Sequence, residues 1–378
     1  MRATQALIHL DNFASNFRII RERIGMDKQI CLPVKANAYG HGAVQIARKG
    51  LELGASCLAV AAVSEGAELR TAGISCPILL FSQLLPEEIP EIIENGLIPF
   101  VSDNEFAGIL NKAAAIAGIR LPVHLKIDTG MGRMGCSPVE APGIARKIAA
   151  CEALAYAGTA THLAVSDSAE SGNTAYTRRQ IDCFRETVDR VRQAGVDPGI
   201  VHAANSGAVI LHPEAWFDMV RPGILLYGYN IISGNAGPDV PLRVYPVMEL
   251  RTSVVMIKKL AKGETVSYGR TWTAQRDTCI AVLPAGYADG LPRSAGNRWQ
   301  VSIGGAIYPL AGRICMDQCM VDLGPETTVR RWDEASLFGG PAPDASVLAE
   351  RTGTIPYEIT CNINKRVPRV FTENGEKR

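Results

Sequence analysis

Ile30-Cys31-Leu32-Pro33-Val34-Lys35 is a short apolar run that ends on a lysine, and it opens a series whose count decides the fold. Seven further runs follow it: Cys57–Ala61, Pro77–Phe81, Leu97–Val101, Leu121–Asp128, Leu154–His162, Ile200–Asn205 and Met219–Arg221. Each is β-branched or apolar and short, as buried strands are. The seven intervals between them carry turn residues and helical periodicity, with amphipathic stretches at His41–Leu53, Ser64–Ala72, Asn104–Ala117 and Tyr176–Ala194. Strand and helix alternating in this way predicts a closed (β/α)8 barrel of the TIM type over residues 10–240, since open doubly wound sheets more often stop near roughly six strands.

Beyond Tyr227 the pattern changes. Gly228–Pro246 is rich in Gly, Pro and Asn, and the later runs Met248–Lys258, Thr278–Pro284, Trp299–Ile303, Ile307–Leu310 and Met320–Leu323 alternate with turns and lack helical partners. They predict a mainly-β C-terminal domain over residues 241–372, joined by an N-terminal strand from residues 1–9. The whole has 378 residues, 47% hydrophobic and 20% charged, with 39 basic against 38 acidic side chains. A net charge of +1 provides no global field for nucleic acid or for an anionic membrane, so any anion has to be bound locally. The amino terminus lacks a charged head before an apolar run, and the longest apolar stretch, Cys57–Val63, is far too short to span a bilayer, which reads as a cytoplasmic chain. Ten scattered cysteines, without a CxxC pair or histidines at zinc spacing, are expected to be reduced, and no metal site is expected.

In a barrel of this kind the chemistry sits at the carboxyl ends of the strands. Lys35 is placed there, where partial desolvation would disfavour its ammonium and ease imine formation with a carbonyl. Alone, it reads as a lysine snorkelling at a strand end. The glycine-rich loop Asp128–Gly135 after the fifth run can turn tightly, present Lys126 and Arg133 to a pocket and cradle an anion. His162 ends the sixth run, Asn205 and Ser206 end the seventh, and Arg221, Gly223 and Ile224 end the eighth. Loops after strands seven and eight commonly make a phosphate site, and Ser206, Gly223 and Ile224 fit it. Individually, His162 reads as well as a core histidine, and Arg221 as a partner for a barrel carboxylate. Asp103 and Asp128 read as helix caps, and His41 as structural. Together, a lysine, an arginine and two phosphate-ready loops suit a phosphorylated aldehyde cofactor.

Val34-Lys35-Ala36-Asn37-Ala38-Tyr39-Gly40-His41-Gly42, the Asp128–Gly135 loop, His202–Ser206, Arg221–Gly228, Val266–Gly269, Gly286–Gly290 and Gly312–Gln318 occur in one order between Leu7 and Phe371. In these motifs the sequence resembles the bacterial alanine racemases. The resemblance implies a fold-type III enzyme with pyridoxal 5′-phosphate on Lys35. It implies phosphate contacts from Tyr39, Ser206, Gly223 and Ile224, with Asn205 beside the cofactor, His162 against Arg221 and Arg221 on the pyridine nitrogen. It further implies two bases on opposite faces of the substrate, Lys35 and Tyr268, the tyrosine coming from the other subunit of a head-to-tail homodimer. Met316 would arrive with Tyr268 and help Arg133 hold the substrate carboxylate, Tyr287 would line the entrance, and Lys126 would be carbamylated, a bound anion being the alternative. The implied activity is interconversion of L- and D-alanine for peptidoglycan, with serine or a wider range of amino acids as the alternative substrates.

Many relatives place a tyrosine ahead of Arg-Val-Pro-Arg near the carboxyl end, for use on the phosphate. Here Lys365 precedes Arg366-Val367-Pro368-Arg369, so a mobile point charge is expected at that place, with consequences for substrate selectivity. A basic amino-acid decarboxylase of the same architecture is the first rival, and the expected Arg221 argues against it, because such an enzyme would put an acid on the ring nitrogen. A carrier without catalysis would be a lone barrel. A lysine aldolase remains open from the barrel alone.

Overall fold

The computed structural model describes residues 2–233 and 242–377. Eight parallel strands, Gln29–Pro33, Cys57–Val60, Ile78–Leu80, Ile98–Val101, Leu121–Lys126, Leu154–Ala160, Ile200–His202 and Met219–Val220, lie in one sheet in chain order, and the last pairs with the first through Gln29↔Met219 and Ile30↔Val220. Two backbone bonds, Asp218 N–H to Val201 O at 3.0 Å and Arg221 N–H to Ala204 O at 2.8 Å, tie the seventh strand to the eighth and complete the ring. The predicted barrel is present, each strand coinciding with one of the eight apolar runs.

Alternate residues of a barrel strand point inward. Cys31, Cys57, Ala59, Leu79, Ile98 and Met219 accordingly form a buried inner cluster, with Phe81 and Ile200 against it. The outer faces pack on helices at Ala43–Glu52, Val63–Thr71, Ile89–Glu94, Asn104–Ile116, Ala141–Ala149, Ser171–Gln193 and Ser206–Leu211. Helix Leu10–Ile24, which the run count did not anticipate, precedes the first strand and buries Phe13, Phe17 and Ile20. Asp103 caps Asn104–Ile116 by accepting from Phe106 N–H, as its place in the sequence suggests. Asp128 instead accepts from the amides of Gly130, Met131 and Gly132, which closes its own loop and caps no helix.

The second half is mainly β. A seven-stranded sheet runs in the order Ala306–Pro309, Gln300–Ile303, Glu334–Phe338, Met248–Ser253, Gln5–His9, Arg369–Glu373 and Glu376–Lys377, so both ends of the chain are woven into one layer. A three-stranded sheet holds Met256–Leu260, Thr278–Leu283 and Cys319–Gly324. The run Met248–Lys258 is thus two strands, not one. It divides because Val254 N–H bonds Asp333 O in one sheet while Val255 N–H bonds Val282 O in the other. Helical partners are also present, at Ala345–Thr352 and Pro356–Cys361. The boundary expected between residues 240 and 241 lies outside the described residues. All ten cysteines are free, and no helix among the described residues is long and apolar enough to cross a membrane.

Candidate active site

The first strand ends at Pro33, and Lys35 sits just beyond it on an unusual piece of backbone. Ala36, Asn37, Ala38 and Tyr39 have φ of 52°, 54°, 54° and 54°, a left-handed turn of four non-glycine residues. Left-handed backbone costs roughly 1–2 kcal/mol per residue with a Cβ, asparagine excepted in part, so the surroundings have to hold it. His41 Nδ1 donates to Ala38 O and Tyr39 O, the Asn37 carboxamide accepts from Ala43 N–H, and Arg369 Nε donates to Gly40 O. Gly40 is required there: at φ 86° a Cβ would stand 2.0 Å from Thr360 O. That close approach brings helix Pro356–Cys361 onto the turn, and the Tyr357 ring comes to 5.8 Å from the Tyr39 ring.

Lys35, Tyr39, Lys126, Arg133, His162, Asn205, Ser206, Arg221 and Gly223 all line one cavity of about 530 Å³ at the carboxyl ends of the strands. Ile224 lies next to Gly223 but is fully buried and does not line it. Ser206 Oγ accepts from Gly223 N–H at 2.9 Å and from Leu225 N–H at 3.3 Å, which leaves its own hydrogen to donate. The Asn205 carbonyl oxygen caps the following helix through Ala208 N–H and accepts from Ser166 Oγ.

The electrostatics of this cavity are those of buried cations short of counter-charge. Burial, with Arg133 second, lowers the Lys35 ammonium; Glu65 acts in the opposite sense. Burial, then Arg221 and Arg133, hold Lys126 well below the ordinary lysine range. Burial brings Arg221 down to about 10, so it stays charged at neutral pH. Among the described residues no carboxylate forms an ion pair with Arg221 or Arg133. Arg221 is held instead by acceptors without charge: Nη2 bonds Thr161 O at 2.8 Å and Ala203 O at 3.0 Å, and meets His162 Nδ1 at 3.4 Å. Nη1 bonds His202 Nδ1 at 2.8 Å, and His202 Nε2 meets His124 Nδ1 at 2.9 Å. The expected pairing of His162 with Arg221 is thus one side of a larger set. His202 opens one of the motifs but has no role in the sequence reading, and His124 does not figure in it, because a histidine inside an apolar strand gives no signal of its own.

Three expected residues lie elsewhere. Tyr268, Met316 and Tyr287 are 71%, 53% and 41% exposed and line no part of this cavity. They do share one surface: Ser267 Oγ donates to Arg313 O, Tyr287 N–H to Cys315 O and Ala288 N–H to Met316 O, so the three loops are bonded together. Lys365 is exposed and also off the cavity. The phenol that the carboxyl-terminal part brings to the cavity is that of Tyr357, eight positions earlier on helix Pro356–Cys361. The Lys365 reading followed the neighbouring Arg-Val-Pro-Arg motif, whereas the fold selects the residue whose helix rests on Gly40.

Fold and cavity together define a (β/α)8-barrel enzyme with a cationic site at the strand ends and a β-rich second half that lends a helix to it. Comparisons with known proteins give the family. The family model for the alanine racemase N-terminal domain matches residues 8–231, and that for the C-terminal domain matches 247–371. The chain is 50% identical to the alanine racemase of Treponema denticola, over 99% of each chain, and 45% identical to that of Treponema pallidum, over 98% of this chain and all of the other. The solved alanine racemase of Clostridium difficile superposes with a TM-score of 0.93 at 36% identity, covering 100% of this chain and 98% of that one. That of Bacillus anthracis with bound L-Ala-P gives 0.92 at 35%, covering 100% and 97%. The protein belongs to the alanine racemase family and is an amino-acid racemase.

Proposed function

We propose that the cavity holds pyridoxal 5′-phosphate on Lys35 and that the protein interconverts L-alanine and D-alanine with two bases, Lys35 and Tyr268 of the partner subunit. The observation that carries this reading is the convergence, in one cavity, of a lysine with a lowered pKa, a donor-only arginine and an uncharged phosphate cradle. The cradle fits the group. A Cβ at Gly223 would stand 2.7 Å from Tyr39 Oη, so the phenol closes on the Ser206–Gly223 pair, and Ser206 has a hydrogen to give. Tyr357 adds a second phenol beside Tyr39. When bound, pyridoxal phosphate acidifies the α-hydrogen of an amino acid.

The protein's own groups then divide the work. Arg221, charged and a donor only, would hold the ring nitrogen of the bound group unprotonated, which would moderate the acidification and limit side reactions such as transamination. Arg133 takes the substrate carboxylate. Lys35 exchanges a proton at Nζ on one face of the substrate, and Tyr268 of the partner subunit exchanges one at its phenol oxygen on the other. A homodimer with composite sites is part of this reading, because the exposed surface carrying Tyr268 and Met316 and the cavity carrying Lys35 are separate on one chain. So is the division into a barrel over residues 10–240 and a second domain over 241–372. Lys126, favoured as a neutral amine by burial, is suited to take up carbon dioxide as a carbamate and give Arg133 an anionic partner. The mass of one carbon dioxide on the Lys126 peptide, or its absence, decides that point. The D-alanine formed would serve peptidoglycan.

The test is exchange in deuterated water over a panel of L-amino acids. The parent protein is expected to be yellow with pyridoxal phosphate and to place deuterium at the α-carbon of alanine in both enantiomers, with serine as the second substrate to try. Lys35→Ala should lose the colour and the exchange together. A colourless parent that exchanges nothing would overturn the reading.

A further inference from the structure

The left-handed turn after Lys35 is held at its exit by His41, Asn37 and Arg369, and all of these bonds fall at or beyond its second residue. Its entry is closed by one backbone bond, Ala38 N–H to Val34 O at 2.7 Å, and carries a further restraint from outside the turn. Glu65 lies in the first turn of helix Val63–Thr71, and one of its oxygens, Oε2, accepts from Ala61 N–H at 2.8 Å and Ala62 N–H at 3.1 Å. That much is the ordinary work of an acidic residue at a helix start. The other oxygen does something a cap does not need: Oε1 leaves the helix and accepts from Ala36 N–H at 2.6 Å. Ala36 is the first left-handed residue, with φ 52°, and the residue directly after Lys35.

We propose that Glu65 is a positioning residue for Lys35, its carboxylate clamping the entry of the left-handed turn so that Lys35 and Tyr39 both face the cavity. An alanine has no intrinsic reason to stay left-handed, unlike a glycine or an asparagine. If Ala36 relaxed to a right-handed or extended backbone, the peptide planes on either side would rotate, carrying the Lys35 and Tyr39 side chains out of their shared direction. A charged acceptor bonding three amides from two neighbouring loops is the strongest kind of restraint such a turn can have from outside. The same carboxylate also favours the protonated form of Lys35, against burial and Arg133. The catalytic part of this inference rests on the reading of Lys35 given above, while the clamp itself concerns the protein without cofactor.

The experiment is a double-variant cycle with Glu65→Ala and Ala36→Gly, read first as the thermal midpoint of cofactor-free protein, then as kcat and KM. Ala36→Gly should raise the midpoint of the parent, the reverse of the usual effect of glycine, because it removes the strain. Glu65→Ala should lower the midpoint and reduce kcat by about 10- to 100-fold with KM changed far less, the signature of a displaced reacting group. The doubly substituted protein should regain a large share of both losses, since a glycine at position 36 does not need the clamp. Glu65→Gln, which keeps one acceptor oxygen, should fall between the parent and Glu65→Ala, and it replaces Glu65→Ala in the cycle should that variant not fold. If the two changes are additive in the midpoint and Ala36→Gly restores no kcat, Glu65 is a helix cap only and the proposal fails. A parent that never turns yellow would instead count against Lys35 as the cofactor lysine, and the thermal cycle would still test the clamp.

Discussion

Nη1 of Arg221 lies 2.8 Å from Nδ1 of His202, and that contact fixes the protonation of the barrel interior. A guanidinium only donates, so Nδ1 has to accept and the hydrogen of the neutral ring sits on Nε2. From there it points at His124 Nδ1, 2.9 Å away, which fixes the second ring in the same tautomer. Burial, with Arg221 second, holds both histidines below their ordinary range, His124 at about 3. Arg221 is therefore surrounded by neutral acceptors and keeps its full charge for the cavity.

Replacing His202 by Leu should leave a guanidinium N–H without its acceptor in a fully buried place. The expected cost is about 1–3 kcal/mol of unfolding free energy, read from urea denaturation at neutral pH. A change within a few tenths of a kcal/mol would mean that Arg221 finds another acceptor.

Two contributions to the acid limb should be distinguishable by substitution. Burial holds His41 at about 4, below the ordinary imidazole value of about 6.5. Its stabilising effect is therefore present above pH 6.5 and lost as the pH falls toward 4, because the unfolded chain takes up the proton first. Glu249 acts lower. Burial alone would raise its carboxyl, but bonds from His9, Arg251 and Ser336 outweigh that and hold it at about 2. Its contribution, of the order of 3 kcal/mol, is present above about pH 4.5 and lost as the pH falls to about 2. Unfolding free energy measured from pH 7 to 2 should fall throughout, because His124 at about 3 and His202 add to the loss from His41, and Glu249→Gln should make the fall below about pH 4.5 shallower while leaving the part above it unchanged.

Gly223→Ala should damage cofactor binding more than folding. The new Cβ would meet Tyr39 Oη at 2.7 Å, and the Tyr39 ring is backed by Tyr227 at 4.8 Å, so it cannot retreat. The dissociation constant for pyridoxal phosphate, measured by absorbance titration, is expected to rise at least about 10-fold, which is 1.4 kcal/mol.

The proposed composite site predicts complementation. Tyr268→Phe should keep the yellow colour and lose turnover in both directions, whereas Lys35→Ala should lose both. Unfolded together and refolded, the two inactive proteins should recover about a quarter of parental racemase activity, because half of the dimers are mixed and each mixed dimer has one intact site. No recovery on mixing would show that Lys35 and Tyr268 act from the same chain.

Much of this protein is legible before any coordinates exist. Eight buried strands announce themselves because apolar runs and turn residues are local signals, and strand carboxyl ends always share one mouth, so Lys35, Lys126, Arg133, His162, Ser206 and Arg221 could be grouped from order alone. Where the run Met248–Lys258 breaks, and that Ala36 to Tyr39 turn left-handed, could not be read, since partners distant in the chain impose both. The same holds for the choice of Tyr357 over Lys365, which depends on a helix resting on Gly40, more than three hundred residues earlier. Residue type and spacing report what a segment prefers by itself. Which histidines line up behind Arg221, and which loops bring Tyr268, Tyr287 and Met316 onto one surface, follow from packing between remote segments, and only the assembled structure decides them.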